Sequence, residues 1–189
     1  VQIAAGGNQA PNTPTSLVQK EDSSGTTIST GGWINTTAVR FEGSVTDPDT
    51  DDQVALCVEK DTLGTSFTST NGGDACGSFG AEGTRTVTIS SLTQGEYHWQ
   101  GQGEDDSTTY SAWQCYPDSG CNAESARDFG IDTTAPTTGT VNDGSGADID
   151  TQTSMTQLDA NWSGFSDALS GILRYEYKLQ REVDNQCWN

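Results

Sequence analysis

The chain has 189 residues, 27 acidic and 8 basic side chains and a formal net charge of −19, a balance that works against binding to DNA, RNA or anionic lipid surfaces. The length suits one domain of ordinary size and most of a second. No apolar run approaches the ~20 residues that span a bilayer and no leader pattern opens the chain, so it is not expected to be membrane-embedded, and if it is exported Val1 follows an earlier cleavage.

Residues 1–10 begin VQIAA, with Val1, Ile3 and Ala5 on one face, and Gly6 and Gly7 then release the chain. This reads as an N-terminal arm and a candidate donor strand for a neighbouring molecule. A first strand is expected near residues 16–20. Over residues 37–45, Val39, Phe41, Gly43 and Val45 fall on one side and Arg40 and Glu42 on the other, the period of two expected of a half-buried strand. The loop DPDTDD follows, then strands at 54–60, 85–90 and 96–102, and a last one near RDFGID. DTTAPTTG, with Pro136, reads as a linker in which a ladder cannot continue.

From residue 139 the same plan restarts. Leu158, Ala160 and Trp162 alternate, the aspartate-containing loop SGFSDALSG follows, and a strand is expected over 172–179. The predicted fold class is all-β and antiparallel, in tandem sandwiches: the arm 1–10, a first domain at 11–134, and at 135–189 the first half of a second domain that is incomplete within this chain. Three strands do not enclose a sandwich core, so Trp162, Ile172, Tyr175 and Tyr177 are expected to need cover from elsewhere. Either the sequence is a piece of a longer repeat protein that supplies the remaining strands, or a strand added from another copy completes the module.

Two segments carry a family resemblance. SLTQGEYHWQGQGED, with YSAW and DFGID, resembles the closing half of a fibronectin type III-like repeat from large bacterial surface proteins, within the immunoglobulin-like superfamily. NWSGFSDALSGILRYEYKL resembles the opening half of such a repeat. The resemblance implies that Tyr97 sits near the start of the penultimate strand with its hydroxyl turned back to upstream backbone, as a tyrosine corner. It also implies a non-enzymatic, extracellular structural or adhesive protein, secreted or on the cell surface: a stalk or a pilus-like filament subunit, for which the unfinished second module makes strand complementation between subunits one route of assembly. Expected partners are other copies of the chain or further modules of the same protein, with a cell-surface protein or glycan as receptor.

Five cysteines in a small acidic chain favour an oxidising compartment. Sequence alone does not fix their pairing. Cys57–Cys76 and Cys115–Cys121 are the preferred bridges, which leaves Cys187 over. Neither CxxC nor a Cys/His cluster occurs, so zinc is not expected.

Asp47, Asp49, Asp51 and Asp52 crowd into six positions, and the sandwich topology brings them to the same pole as Asp105 and Asp106. These six are candidate calcium ligands, with solvated turn carboxylates as the alternative; calcium is the one cofactor expected. His98, the sole histidine, has no nucleophile elbow in the sequence, so no enzyme is expected. Trp99 and Trp113 suit core packing, whereas Tyr110 and Tyr116 are candidate glycan contacts. The alternative function is therefore a carbohydrate-binding accessory module of a larger secreted protein. Asn35 (NTT) and Asn161 (NWS) are candidate N-glycosylation sites.

Overall fold

The structure, a computed structural model, describes residues 7–117, 126–154, 156–181 and 186–188, with the backbone alone for 179–181 and 186–188. The chain divides between Thr133 and Thr134 into two units. All regular structure among the described residues is β, so no helix there is long and apolar enough to cross a membrane.

The first unit contains β1 (Thr15–Glu21), β2 (Gly32–Ile34), β3 (Val39–Val45), β4 (Val54–Thr62), β5 (Ala75–Cys76), β6 (Gly83–Ile89), β7 (Gly95–Asp105), β8 (Gln114–Cys115) and β9 (Phe129–Ile131). One sheet has the order β1-β3-β6 and the other β2-β9-β7-β4-β5, with β8 added to β7. Every pairing is antiparallel except β2 on β9. The parallel pairing aligns Trp33 with Gly130, where a Cβ would collide with the indole ring. A residue larger than glycine there would force Trp33 off the sheet.

Alternation places the core. Along β3, Val39, Phe41, Gly43 and Val45 are buried and the residues between them only half-buried. The facing sheet supplies Val54, Leu56, Val58, Tyr97, Trp99, Phe129 and Ile131, which join Phe41 and Val87 in one apolar cluster, giving a sandwich-like fold. Trp99 lies at its centre, fully buried, with its ring centroid 4.6 Å from that of Phe41 and 5.0 Å from that of Tyr116. Its indole Nε1–H donates to Gln19 Oε1 at 3.0 Å, and Gln19 Nε2 donates to the Asp128 carbonyl at 2.6 Å, so the polar atoms carried inside are partnered.

Tyr97 stacks on Phe129, and its hydroxyl donates to the Thr93 carbonyl at 2.8 Å. The bond runs back four residues across the turn into β7. Tyr97→Phe removes it and leaves the ring in place, so a loss of about 1 kcal/mol is expected, read as a lower urea midpoint with unchanged m-value.

The second unit is thinner. β10 (Thr140–Asp143) pairs with β11 (Ala160–Ser163), and β12 (Leu179–Arg181) with β13 (Gln186–Trp188), each an antiparallel pair with no third strand among the described residues. The strand expected over residues 172–179 is corrected: 172–178 form no ladder, and pairing begins at Leu179. Alternating side chains mark a face that wants burial, but a strand also needs a backbone partner, and none lies beside 172–178 among the described residues. Cys187 is in β13, opposite Gln180.

Candidate functional site

The strongest concentration of chemistry lies at one pole of the first unit, where the β3–β4 loop meets the end of β7. Pro48 turns the chain between Asp47 and Asp49, and the Asp49 N–H donates to Asp47 Oδ1 at 2.8 Å, an Asx turn that folds both carboxylates onto one side. Asp47, Asp49 and Asp52 each offer a carboxylate oxygen within 4.8 Å of the others. Asp51, exposed, is not among them. Register explains the convergence of the two loops: Val54 lies opposite Asp105, and the Asp106 N–H donates to the Gln53 carbonyl at 3.0 Å.

The two carboxylates from the β7 end differ in role. Asp105 is fully buried, and its Oδ1 accepts from the N–H groups of Ser107 and Thr109 at 2.9 and 2.8 Å, so it builds the turn. Asp106 is exposed and acts on the loop as a charge. The Asp52 carboxyl is raised above its ordinary value, first by desolvation and then by Asp106, Asp47, Asp49 and Asp105. Oδ2 of Asp47 and Oδ2 of Asp52 are both sealed from solvent without a hydrogen-bond donor.

Residues Asn8 and Gln9 close over this pole, a contact that no local pattern predicts. The Gln9 N–H donates to Asp49 Oδ2 at 2.6 Å, and its side-chain Nε2 to Oδ1 at 3.2 Å. Asn8 Nδ2 donates to Asp105 Oδ2 at 2.9 Å. Glu82 contributes from just before β6, accepting from the Asp47 N–H at 2.9 Å.

A second polar cluster covers the outer face of β4 and β7. Along β7 the odd residues enter the core, which turns His98, Gln100, Gln102 and Glu104 outward, yet these too are buried. The β4–β5 connection supplies partners for His98, Gln100 and Gln102, and Tyr110 for Glu104. Glu59 Oε1 accepts from the Thr68 N–H and hydroxyl at 2.7 Å each, and its Oε2 from the Ser69 N–H at 3.0 Å and Gln100 Nε2 at 2.7 Å. His98 stacks on Phe67 with Nε2 2.7 Å from the Thr65 carbonyl, so that nitrogen carries a proton and the ring serves as a structural donor.

The Cys57–Cys76 disulfide ties this connection to β4 across 19 residues. Closing a loop of that length stabilises by about 3 kcal/mol on chain-entropy grounds. Cys57, Cys76 and Glu104 lie close together, but a disulfide offers no thiolate to a metal. Cys115 is also disulfide-bonded, and the expected partner Cys121 lies outside the described residues.

In the second unit, Trp162, Ile172, Tyr175 and Tyr177 line one open groove of about 610 Å³, together with Phe165 and Leu158. Trp162 is 49% exposed, Tyr175 50% and Tyr177 91%, although the Trp162 and Tyr175 rings stand 5.7 Å apart. The proposed donor residues Val1, Ile3 and Ala5 lie outside the described residues.

The tyrosines singled out for glycans have internal contacts. Tyr116 stacks on Trp99 with its hydroxyl 3.2 Å from Thr30 Oγ1, and the Tyr110 hydroxyl donates to Glu104 at 2.8 Å, a bond that raises its pKa. Trp113 is half-buried, with Nε1 donating to the Ser69 carbonyl at 3.2 Å. Asn35 is exposed. The Asn161 amide donates to the Gly144 and Gly146 carbonyls at 3.0 and 2.7 Å, so a glycan there, which replaces one amide hydrogen, would have to displace at least one of these bonds.

No protein-family model matches the chain, and comparison with curated proteins and with solved structures gave no significant match.

Proposed function

We propose that the chain is a non-enzymatic structural and adhesive part of an extracellular protein, a surface stalk or filament subunit built from immunoglobulin-like, fibronectin type III-like modules. The observation that carries this reading is the pair of unlike units: a first with a full core between two sheets, and a second whose aromatic side chains line an open groove. A face that presents Trp162, Tyr175 and Tyr177 to water is matched by β-structure laid against it, either from a further module or from a neighbouring copy.

The sheet orders support the module type. Three strands β1-β3-β6 facing a sheet that contains β9-β7-β4-β5 resembles a seven-strand sandwich of this superfamily, and the Tyr97 to Thr93 bond resembles its tyrosine corner. The Cys57–Cys76 disulfide supports an oxidising, extracellular setting. Partners are then further modules or copies of the chain, with a cell-surface protein or glycan as receptor.

Negative-stain microscopy of the purified native protein tests this role. Rods or continuous fibres are expected. Separate compact particles that bind a glycan array, with binding lost in Tyr110→Ala or Tyr116→Ala, would instead make the protein a carbohydrate-binding accessory module.

A further inference from the structure

We infer that Asp47, Asp49 and Asp52 form a calcium site that fastens the start of the chain to the pole of the first unit. The inference stands on that unit alone and is independent of how the second is covered. Clustered acids at a loop are common without an ion, and the feature that separates this cluster is its orphan oxygens. Asp47 is only 7% exposed; its Oδ1 is taken by the Asp49 N–H, while Oδ2 is sealed from water with no donor. Asp52 Oδ2 is in the same condition in the same cluster. Buried carboxylate oxygens are costly unless something positive meets them. None of the ion pairs described for this chain involves any of these three residues.

The dimensions suit calcium. Two oxygens on one calcium ion, each at about 2.3–2.6 Å, stand no more than about 5 Å apart. The three carboxylates already fall within 4.8 Å of one another, so an ion can be shared without rebuilding the loop. Carbonyl oxygens and water would fill the remaining positions that calcium requires. Asp106 stays outside as an added negative charge, which draws the cation without holding it.

The site also gives the ion a mechanical consequence. Gln9 is bonded to Asp49 through both its backbone and its side chain, and Asn8 to the adjoining Asp105. A cation that fixes Asp49 therefore fixes the entry of the chain into the sandwich. In a protein built of successive modules, that is where flexibility between neighbours is set.

The test is calorimetric titration of the full chain with calcium chloride, paired with thermal melts in calcium and in sodium chloride of matched ionic strength. We expect uptake of one ion and a rise in melting temperature of about 5 °C in calcium beyond that in sodium. Exchange of the Gln9 amide should slow on binding. Asp52→Asn should weaken calcium binding at least tenfold, while melting no lower than the unsubstituted chain in calcium-free buffer, because it removes one of several repelling charges. That second reading shows the variant to be folded. The inference is overturned if neither heat nor a melting shift develops by about 10 mM calcium, roughly tenfold above the weak end of extracellular sites at about 1 mM. It is equally overturned if sodium reproduces the shift or if Asp52→Asn binds as tightly as the parent.

Discussion

Trp99→Ala is expected to cost about 4 kcal/mol, enough to leave much of the first unit unfolded at 37 °C. The indole is fully buried between Phe41 and Tyr116, so truncation opens a cavity that two sheets cannot collapse to fill. It also strips Gln19 Oε1 of its donor at a residue with no exposure. Trp99→Phe separates these effects: it retains most of the volume and loses only the Nε1–H, and about 1–2 kcal/mol is expected. Urea denaturation of both variants provides the check. Equal losses would show that the cavity matters less than the hydrogen bond.

Glu59→Ala is expected to be nearly as damaging, at about 3 kcal/mol, because it leaves the donors of Thr68, Ser69 and Gln100 without their acceptor. Desolvation pushes the Glu59 carboxyl upward, but the bonds from Thr68, Gln100 and Ser69 outweigh it and hold the group below its ordinary value of 4.5. A carboxyl whose folded value is lowered contributes stability that is fully present above 4.5 and is lost as pH falls through the folded value. The stability difference between the parent and Glu59→Gln should therefore be constant at neutral pH and shrink in acid. Comparing the two chains cancels the other carboxylates, including Asp52, whose raised value acts in the opposite sense. A difference that stays constant down to pH 3 would show that the four bonds do not depend on the charge.

These two residues also mark how far the sequence could be read. Trp99 lies in a strand whose alternation is visible, and the same period of two placed Val39, Phe41, Gly43 and Val45 inward. The tyrosine at position 97 was legible because it is a local signature with a known structural use, whereas the Cys57–Cys76 bridge was a preference among pairings that sequence leaves open. Glu59 is different. In a strand, a glutamate on the face opposite the core reads as solvated, and so do His98, Gln100, Gln102 and Glu104. For Glu59, His98, Gln100 and Gln102 the partners come from a connection between β4 and β5 that has no periodicity and matches them only once folded, and for Glu104 from Tyr110 beyond β7.

The acidic pole was partly legible for the same reason. Sequence brought the DPDTDD loop and the end of β7 to one pole through topology, and the structure has them meet there. It did not distinguish Asp52, inside the cluster, from Asp51, outside it, because a loop has no repeating geometry to assign faces. Nor did it foresee the strap of Asn8 and Gln9, which depends on contacts between residues about 40 and 100 positions apart. In the second unit, alternation identified which side chains line the groove while overstating the strand, since 172–178 have no ladder partner.

A structural role rests on the groove of the second unit being covered in the working protein. Hydroxyl-radical footprinting of Trp162, Tyr175 and Tyr177 tests this most directly, in the native assembled material and in the same chain dissociated from it. Several-fold protection of all three in the assembly, with full reactivity after dissociation, is the expected result. Equal reactivity in both states would contradict it, because the aromatic face would then stand open to water in the protein's own setting.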